Sequence, residues 1–361
     1  MSTFRRASAA AQQSPSSPLS PAVPSVRARG IKPFTNDQIL TSSGLRELDA
    51  VLGGGYLLGS MVVVESSVYG SYGTDLARYF AAEGLANENF VYTDASLAAT
   101  LPLELSTAQK QLKAALVAQP SNENSAPLTI AWQYEKYTAD KPQLTLPKVT
   151  DTRFCHSFDL SKPIADAMKS TWQELSIDPS MPSLQSAYRN VFSAMQHALE
   201  VTHTGATDIV RFVLTDLAAP WLSDDMTFSH RCHLHQFLRA VRGLLARHRR
   251  RCICVLTVAA FALPTHVVRS IRHLGDYAFE LTSFAGHSDQ LPSELAEFNG
   301  LFFVHKVAHF HSITGHALDN IKLGIKRDRR KLKLEPLHLP PEGSRSQKQP
   351  DKASQPSDMS F

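Results

Sequence analysis

Residues 41–65 read TSSGLRELDAVLGGGYLLGSMVVVE, and this segment limits the folding choices of the chain more than any other. Gly53, Gly54 and Gly55 permit a sharp backbone turn, and Gly59 a second one. The apolar run 61–64 that follows is continuous rather than alternating, the pattern of a strand buried on both faces in a parallel sheet. A stretch of helical composition, 75–86, comes next. The connection between them therefore lies at the C-terminal end of a strand, where doubly wound sheets bind ligands.

The same alternation continues along the chain. Residues 90–93 and 128–134 read as strands. Leu184, Tyr188, Val191, Phe192, Met195, Ala198 and Leu199 fall at spacings of three and four, which predicts a long amphipathic helix. Residues 209–214 read as a strand ending at Thr215 and Asp216. Leu234, Phe237, Leu238, Val241, Leu244 and Leu245 repeat the helical spacing, 252–258 is a buried strand, and 279–284 and 301–307 add two more. The expected class is α/β, a mostly parallel sheet with helices on both faces.

The 361 residues allow one large or two modest domains, and composition places the folded body at 30–342. Before it, residues 1–29 are mostly Ser, Pro and Ala with scattered Arg and no acid ahead of Asp37, and 343–361 are Ser, Lys, Gln and Pro. Neither tail can bury enough apolar surface to offset its ordering entropy, so both are expected to be disordered. Pro15, Pro18, Pro21 and Pro24 interrupt the amphipathic helix that a mitochondrial transit peptide would need. Residues 120–127 read as an internal loop. The longest weakly polar run, 252–264, falls short of the roughly 20 residues that span a bilayer, so no membrane crossing is expected. Of four cysteines, Cys252 and Cys254 sit in an apolar run, as buried thiols of a reducing compartment do. A net charge of +4 is too small to argue for a polyanionic partner by itself.

The order Gly44, Leu45, Leu48, Asp49, Leu52, Gly53, Gly54, Gly55, followed by strand, loop and helix, resembles the RecA and KaiC superfamily of ring-forming ATPases. That resemblance implies a RecA-like, doubly wound domain. In a working member the loop would be GxxxxGK[ST], with backbone amides around phosphates, Lys as a point charge and Ser or Thr on Mg²⁺. Here it runs Ser66, Ser67, Val68, Tyr69, Gly70, Ser71, Tyr72, Gly73. Ser71 stands in place of the second glycine, Tyr72 of the lysine and Gly73 of the hydroxyl. Phosphoryl transfer rests on positioning and electrostatics, so autonomous ATP hydrolysis is not expected and no catalytic residue is assigned. The degenerate nucleotide-binding candidates are Ser66, Ser71, Tyr72, Gly73 and Asp216. Asp216 occupies the Walker B position by topology, and an ordinary loop residue or helix cap is the alternative.

Further segments match in order: IAWQY at 130–134, TRFCHSFDLSK at 152–162, DLAAPWLSDD at 216–225 and LHLPPE at 337–342. With the glycine segment they resemble the Elongator family of degenerate RecA-like subunits. The resemblance implies a heterohexameric ring shared with Elongator subunits five and six. That ring is an accessory module of the complex that modifies tRNA wobble uridines at carbon five, and it binds tRNA under nucleotide control. Catalysis belongs to the catalytic Elongator subcomplex, ATP would sit at ring interfaces, and the location implied is cytoplasmic and nuclear. The rival reading is an active RecA or KaiC-type ATPase with a noncanonical phosphate loop, which would need a cation from a neighbour.

Two basic runs and one His/Cys group complete the candidates. Arg247, Arg249, Arg250 and Arg251 are expected to close the helix that starts near Ser229, where cations favour the negative dipole end. Lys326, Arg327, Arg329, Arg330 and Lys331 form either a solvated face or a phosphate contact. His230, Cys232, His233 and His235 lack paired C-x-x-C knuckles, and no metal is assigned to them. By the topology of RecA-like rings, the loops 217–227 and 261–266 face the channel. Trp221 in the first could stack on a base, but Asp224 and Asp225 repel phosphate. Phe261 and His266 in the second are the better RNA candidates.

Overall fold

The computed structural model describes residues 28–105, 153–205, 207–222, 227–286, 291–292, 295–308 and 321–337. Residues 1–27 of the expected first tail, the whole of the expected second tail at 343–361, the loop at 120–127 and the strand at 128–134 lie outside the described residues.

A small antiparallel sheet comes first, β1 (Ile31–Pro33), β2 (Ile39–Thr41) and β3 (Tyr56–Leu57), with α1 (Arg46–Val51) between the last two. Then follow β4 (Met61–Glu65), α2 (Tyr72–Ala86), β5 (Phe90–Thr93), α3 (Ala95–Ala99), β6 (Pro102–Glu104), β7 (Phe158–Pro163), β8 (Trp172–Glu174) and α4 (Leu184–His197). The remainder is β9 (Val210–Leu217), α5 (Phe228–Arg247), β10 (Cys252–Val258), α6 (Thr265–Leu274), β11 (Tyr277–Ser283), β12 (Gly300–Lys306), β13 (Lys322–Arg327) and β14 (Leu332–Pro336). The main sheet has the order β14-β13-β12-β11-β4-β10-β9-β5-β8. From β11 to β8 every neighbouring pair is parallel, and β12, β13 and β14 extend the sheet as an antiparallel ladder. The α/β class read from the sequence is the one observed.

Because side chains alternate across a strand, β4 feeds two cores at once. Val62 and Val64 pack with α1 and α2 on one face, through Leu48, Phe80 and Ala81. Met61 and Val63 pack on the other with α4, α5 and α6, through Met195, Leu238, Val241 and Ile271. The Ser183 hydroxyl caps α4 by accepting from the Ser186 amide at 3.2 Å.

The glycine-rich signature is explained by close backbone approach. Gly44 has φ +84, and a Cβ there would stand 2.4 Å from the Tyr79 carbonyl oxygen of α2; Gly55 has φ +120, and its Cβ would stand 2.5 Å from that of Thr41. Asp49, buried in α1, accepts from Ser42 Oγ at 2.6 Å, Ser43 N at 2.8 Å and Ser43 Oγ at 2.6 Å. Burial and the neighbouring Glu83 still raise its carboxyl above the usual range.

Arg211 of β9 is fully buried beside this turn. Its Nε donates to Asn89 Oδ1 at 3.0 Å, Nη1 to the Ser42 and Phe80 carbonyls at 3.1 Å each, and Nη2 to Thr41 Oγ1 at 2.7 Å. Its guanidinium lies over the Phe80 ring at 4.7 Å. Gly84 leaves the passage: a Cβ there would meet Arg211 Cδ at 2.7 Å. Removing one partner from a buried charge network costs about 3–5 kcal/mol. Arg211→Met is therefore expected to lower urea-unfolding stability by that order, because the Ser42 and Phe80 carbonyls, Asn89 and Thr41 would lose their buried donor and the nearby Asp49 and Glu83 a compensating charge.

A pH dependence follows from His203. Its Nε2 meets Tyr92 Oη at 2.8 Å, its ring stacks on Phe90 at 3.7 Å, and burial holds its pKa below the ordinary 6.5. The folded state thus keeps it neutral while the unfolded chain protonates. Its stabilising contribution is present above the unfolded pKa and is lost as pH falls below it. His248, also desolvated, acts in the same direction. Thermal melting from pH 7.5 to 5.5 should show declining stability, and His203→Gln should reduce that slope.

Candidate functional site

β4 ends at Glu65, and the loop to α2 sits on the C-terminal crest of the sheet beside the ends of β5, β9, β10 and β11. The Ser66 amide donates to the Val258 carbonyl at 2.9 Å. Ser67 Oγ donates to the Tyr69 carbonyl at 2.9 Å, closing the loop on itself, and Gly70 turns it with φ +92. A Cβ on Gly73 would stand 2.5 Å from Ser66 Oγ, so the first turn of α2 lies directly against Ser66.

Tyr72 opens α2, and its side chain belongs to the core. Its hydroxyl donates to the Asn299 carbonyl at 3.2 Å, and its ring lies against Gly300 at the start of β12. The residue in the lysine position thus points into the protein and joins α2 to the antiparallel ladder. Ser71 Oγ reaches Asp75 Oδ2 only at 3.5 Å. Asp75 is buried and binds two cations, Arg78 Nη1 at 3.0 Å and Arg327 Nε at 2.6 Å.

Carboxylates dominate the crest. Glu65 accepts from Arg272, whose Nη2 is 2.6 Å from Glu65 Oε2 and 2.8 Å from Glu280 Oε2. Asp94 follows β5 and accepts from Thr215 Oγ1 at 2.9 Å while capping α3 at Leu97 N. Asp216 is neither a loop residue nor a helix cap: it lies within β9, with φ +54, where the register against β10 shifts between Leu256 and Val258. Its amide donates to Thr257 Oγ1 at 2.8 Å. Burial and the nearby Asp94 charge raise its carboxyl above the usual range. Arg272 and Arg327 are already bonded to carboxylates, so the loop region has the topology of a phosphate site with its charge reversed.

The other candidates are dispersed. Lys326 pairs with Glu335 at 2.8 Å and Glu297 at 3.1 Å, and Arg327 is held by Asp75. Arg329, Arg330 and Lys331 are exposed on the turn from β13 to β14. Phe261 is 49% exposed beyond β10, and His266 is exposed in the first turn of α6. Of the other loop, residues 223–226 lie outside the described residues. The Arg247–Arg251 run does not close one helix as expected. α5 stops at Arg247, and Arg251 instead donates to the Leu199 and His203 carbonyls, at the end of the turn that follows α4. His235 bonds the Arg231 carbonyl and Ser270 Oγ, both at 2.9 Å, and no His, Cys, Asp or Glu cluster fit for a metal occurs among the described residues.

Sequence reading missed Asp94, Glu65 and Asp75. Asp94 was within reach, because it follows a predicted strand as Asp216 does; the Asp75–Arg327 pair bridges 252 positions and leaves no local pattern.

The family model for PAXNEB protein matches residues 24–360. Among similar curated proteins, Elongator complex protein 4 of Dictyostelium discoideum is 29% identical over 346 residues, covering 86% of this chain and 77% of the relative. That of Danio rerio is 28% identical over 351 residues, covering 88% and 86%, and that of Homo sapiens 26% over 355, covering 88% and 81%.

The substitution Tyr72→Lys should not create ATP turnover in a phosphate-release assay, because the hydroxyl for Mg²⁺ and the second loop glycine are still missing. It should destabilise the fold by roughly 2–4 kcal/mol, since it replaces a core ring with an ammonium group.

Proposed function

The chain belongs to the PAXNEB family, and from that premise we propose that it is a non-catalytic, RecA-like subunit of the Elongator complex. In this reading it sits in a heterohexameric ring with Elongator subunits five and six. It supports wobble-uridine modification at carbon five, carried out by the catalytic subcomplex, by binding tRNA, in cytoplasm and nucleus. Support for membership comes from relatives named Elongator complex protein 4 that align over most of the chain. The observation that carries the non-catalytic part is Tyr72. The position that would need a cation holds a core aromatic, and Arg272 and Arg327 nearby are neutralised by carboxylates. Any nucleotide at a ring interface would take its catalytic cation from the neighbouring subunit. Robust ATP hydrolysis by the isolated chain, abolished by Asp216→Asn, would instead establish the active-ATPase reading.

For tRNA, the basic run narrows to Arg329, Arg330 and Lys331, because Lys326 and Arg327 are paired within the chain. Phosphate contacts carry no base information. Arg329→Glu with Arg330→Glu should therefore weaken tRNA binding by the assembled ring similarly for all tRNA sequences. Each lost contact should make the salt slope shallower by about 0.7–0.9, measured by filter binding at several salt concentrations. An unchanged affinity and slope in an intact ring would assign these side chains to a solvated face.

A further inference from the structure

The helical layer opposite α1 and α2 has an unusual charge pattern. α4, α5 and α6 contain no Asp, Glu or Lys; their cations are arginines, accompanied by histidines. Arg242 is held by Asp276 at 2.9 Å, Arg272 by Glu65 and Glu280, and Arg247 approaches Glu200 at 3.8 Å. Arg189 of α4 and Arg239 of α5 are exposed and make no ion pair among the described residues.

The same layer holds unmet hydrogen-bonding groups. Of the buried side-chain polar atoms without a partner among the described residues, Tyr188 Oη, Arg231 Nε and His233 Nδ1 belong to α4 and α5; the other is Trp172 Nε1 of β8. Tyr188 and His233 line a groove of about 190 Å³ between the two helices, together with Gln185, Arg189, Phe192 and Gln236. Tyr188 is only 3% exposed, and its ring stacks on Phe237 at 4.8 Å and 14°. Its hydroxyl is therefore fixed in place. Burial raises its pKa well above the ordinary range, so it remains a protonated donor.

We propose that the α4–α5 face is a docking surface for a neighbouring protein subunit that presents carboxylates to it. Tyr188 Oη is itself covered by its neighbours, so a partner's acceptor reaches it only when the groove side chains part, and pairing then removes the about 1–3 kcal/mol that an unpaired buried hydroxyl costs. The cation chemistry selects the class of partner. Protein interfaces are enriched in Arg and aromatic residues and depleted in Lys, and Arg matches carboxylates through a planar, bidentate fork. A nucleic-acid backbone would be served by exposed Lys as well as Arg, but this face has no Lys and its Tyr188 donor is buried beside Phe237. The complementary partner surface is acidic, with at least one hydrogen-bond acceptor able to reach Tyr188.

This inference rests on the subunit reading, and the experiment separates the two. The full chain is co-expressed with Elongator subunits five and six, and assembly is measured by analytical size exclusion and by interferometry for affinity. In the wild-type assembly, hydrogen–deuterium exchange should show α4 and α5 protected relative to the free chain. Arg189→Glu with Arg239→Glu, both exposed and so compatible with folding, should weaken assembly at least tenfold. Tyr188→Phe, which keeps the ring stack and removes only the hydroxyl, should weaken it severalfold. Failure of the wild-type chain to assemble would overturn the subunit reading, and this inference with it. Normal assembly of both variants without α4–α5 protection would overturn the inference alone. Normal assembly of the charge-reversed variant with lost tRNA binding would make the face an RNA surface, which also overturns it.

Discussion

A guanidinium with no exposure to water sits between the first glycine turn, α2 and β9, and the architecture around the phosphate-loop position depends on it. Arg211 bonds the backbone at Ser42 and Phe80 and the side chains of Thr41 and Asn89. One residue in a central strand thus ties the N-terminal segment to the helix that follows the loop. Its cost is large: desolvation drives its pKa down to about 10, against the opposing charges of Glu83 and Asp49. Those acids are held in turn. Glu83 accepts from the His156 amide at 2.9 Å and from Asn87 at 2.7 Å, and Asp49 from Ser42 and Ser43. A network of this kind breaks sharply when one member is removed, which favours a single arrangement of the turn over several.

This gives the sequence signature a structural meaning. The serines and Asp49 in SSGLRELD satisfy one another, Gly44 admits the Tyr79 carbonyl, and Leu45, Leu48 and Leu52 enter the core. None of these groups faces the crest. The signature reports how β4 is delivered to the sheet, and it can be kept whole while the loop after β4 lacks the second glycine, the lysine and the hydroxyl of GxxxxGK[ST]. Fold membership and chemical competence are separable here because they are carried by different residues.

Much of this was legible in advance. Continuous apolar runs marked β4, β5, β9 and β10, and three-four spacing marked α4 and α5, because burial on one or two faces imposes those periods directly on sequence. The short strands β1, β2 and β3 carry too few residues to show a period, and β13 and β14 were read only as a basic run. In that run Leu323, Ile325, Leu332 and Leu334 are buried and alternate with polar residues, so strand alternation was present beneath the charges. Asp216 was placed at the correct strand end. Its left-handed backbone was not foreseeable, since it arises from a register shift against β10 that no local pattern encodes. Arg211 was overlooked for a related reason: a lone cation in an apolar run announces a buried partner without naming it.

The Tyr72 position is more than a missing lysine. Its ring packs against Gly300 and its hydroxyl holds the Asn299 carbonyl, while Asp75 one turn on anchors Arg327 of β13. The first turn of α2, which in a phosphate-binding loop would point its amides and cation at a ligand, is used to attach the antiparallel ladder to the parallel sheet. The two uses compete for the same side chains, because a lysine reaching toward the loop cannot also fill the core beside β12. The acidic crest follows from this. Arg272 and Arg327 serve carboxylates, and among the described residues Asp94 and Asp216 stand at the strand ends without a cation bonded to either. Such a surface repels a polyanion. If the chain contacts RNA as proposed above, the crest is the wrong place for it, and the exposed β13–β14 turn carries the cations that lie outside the carboxylate network.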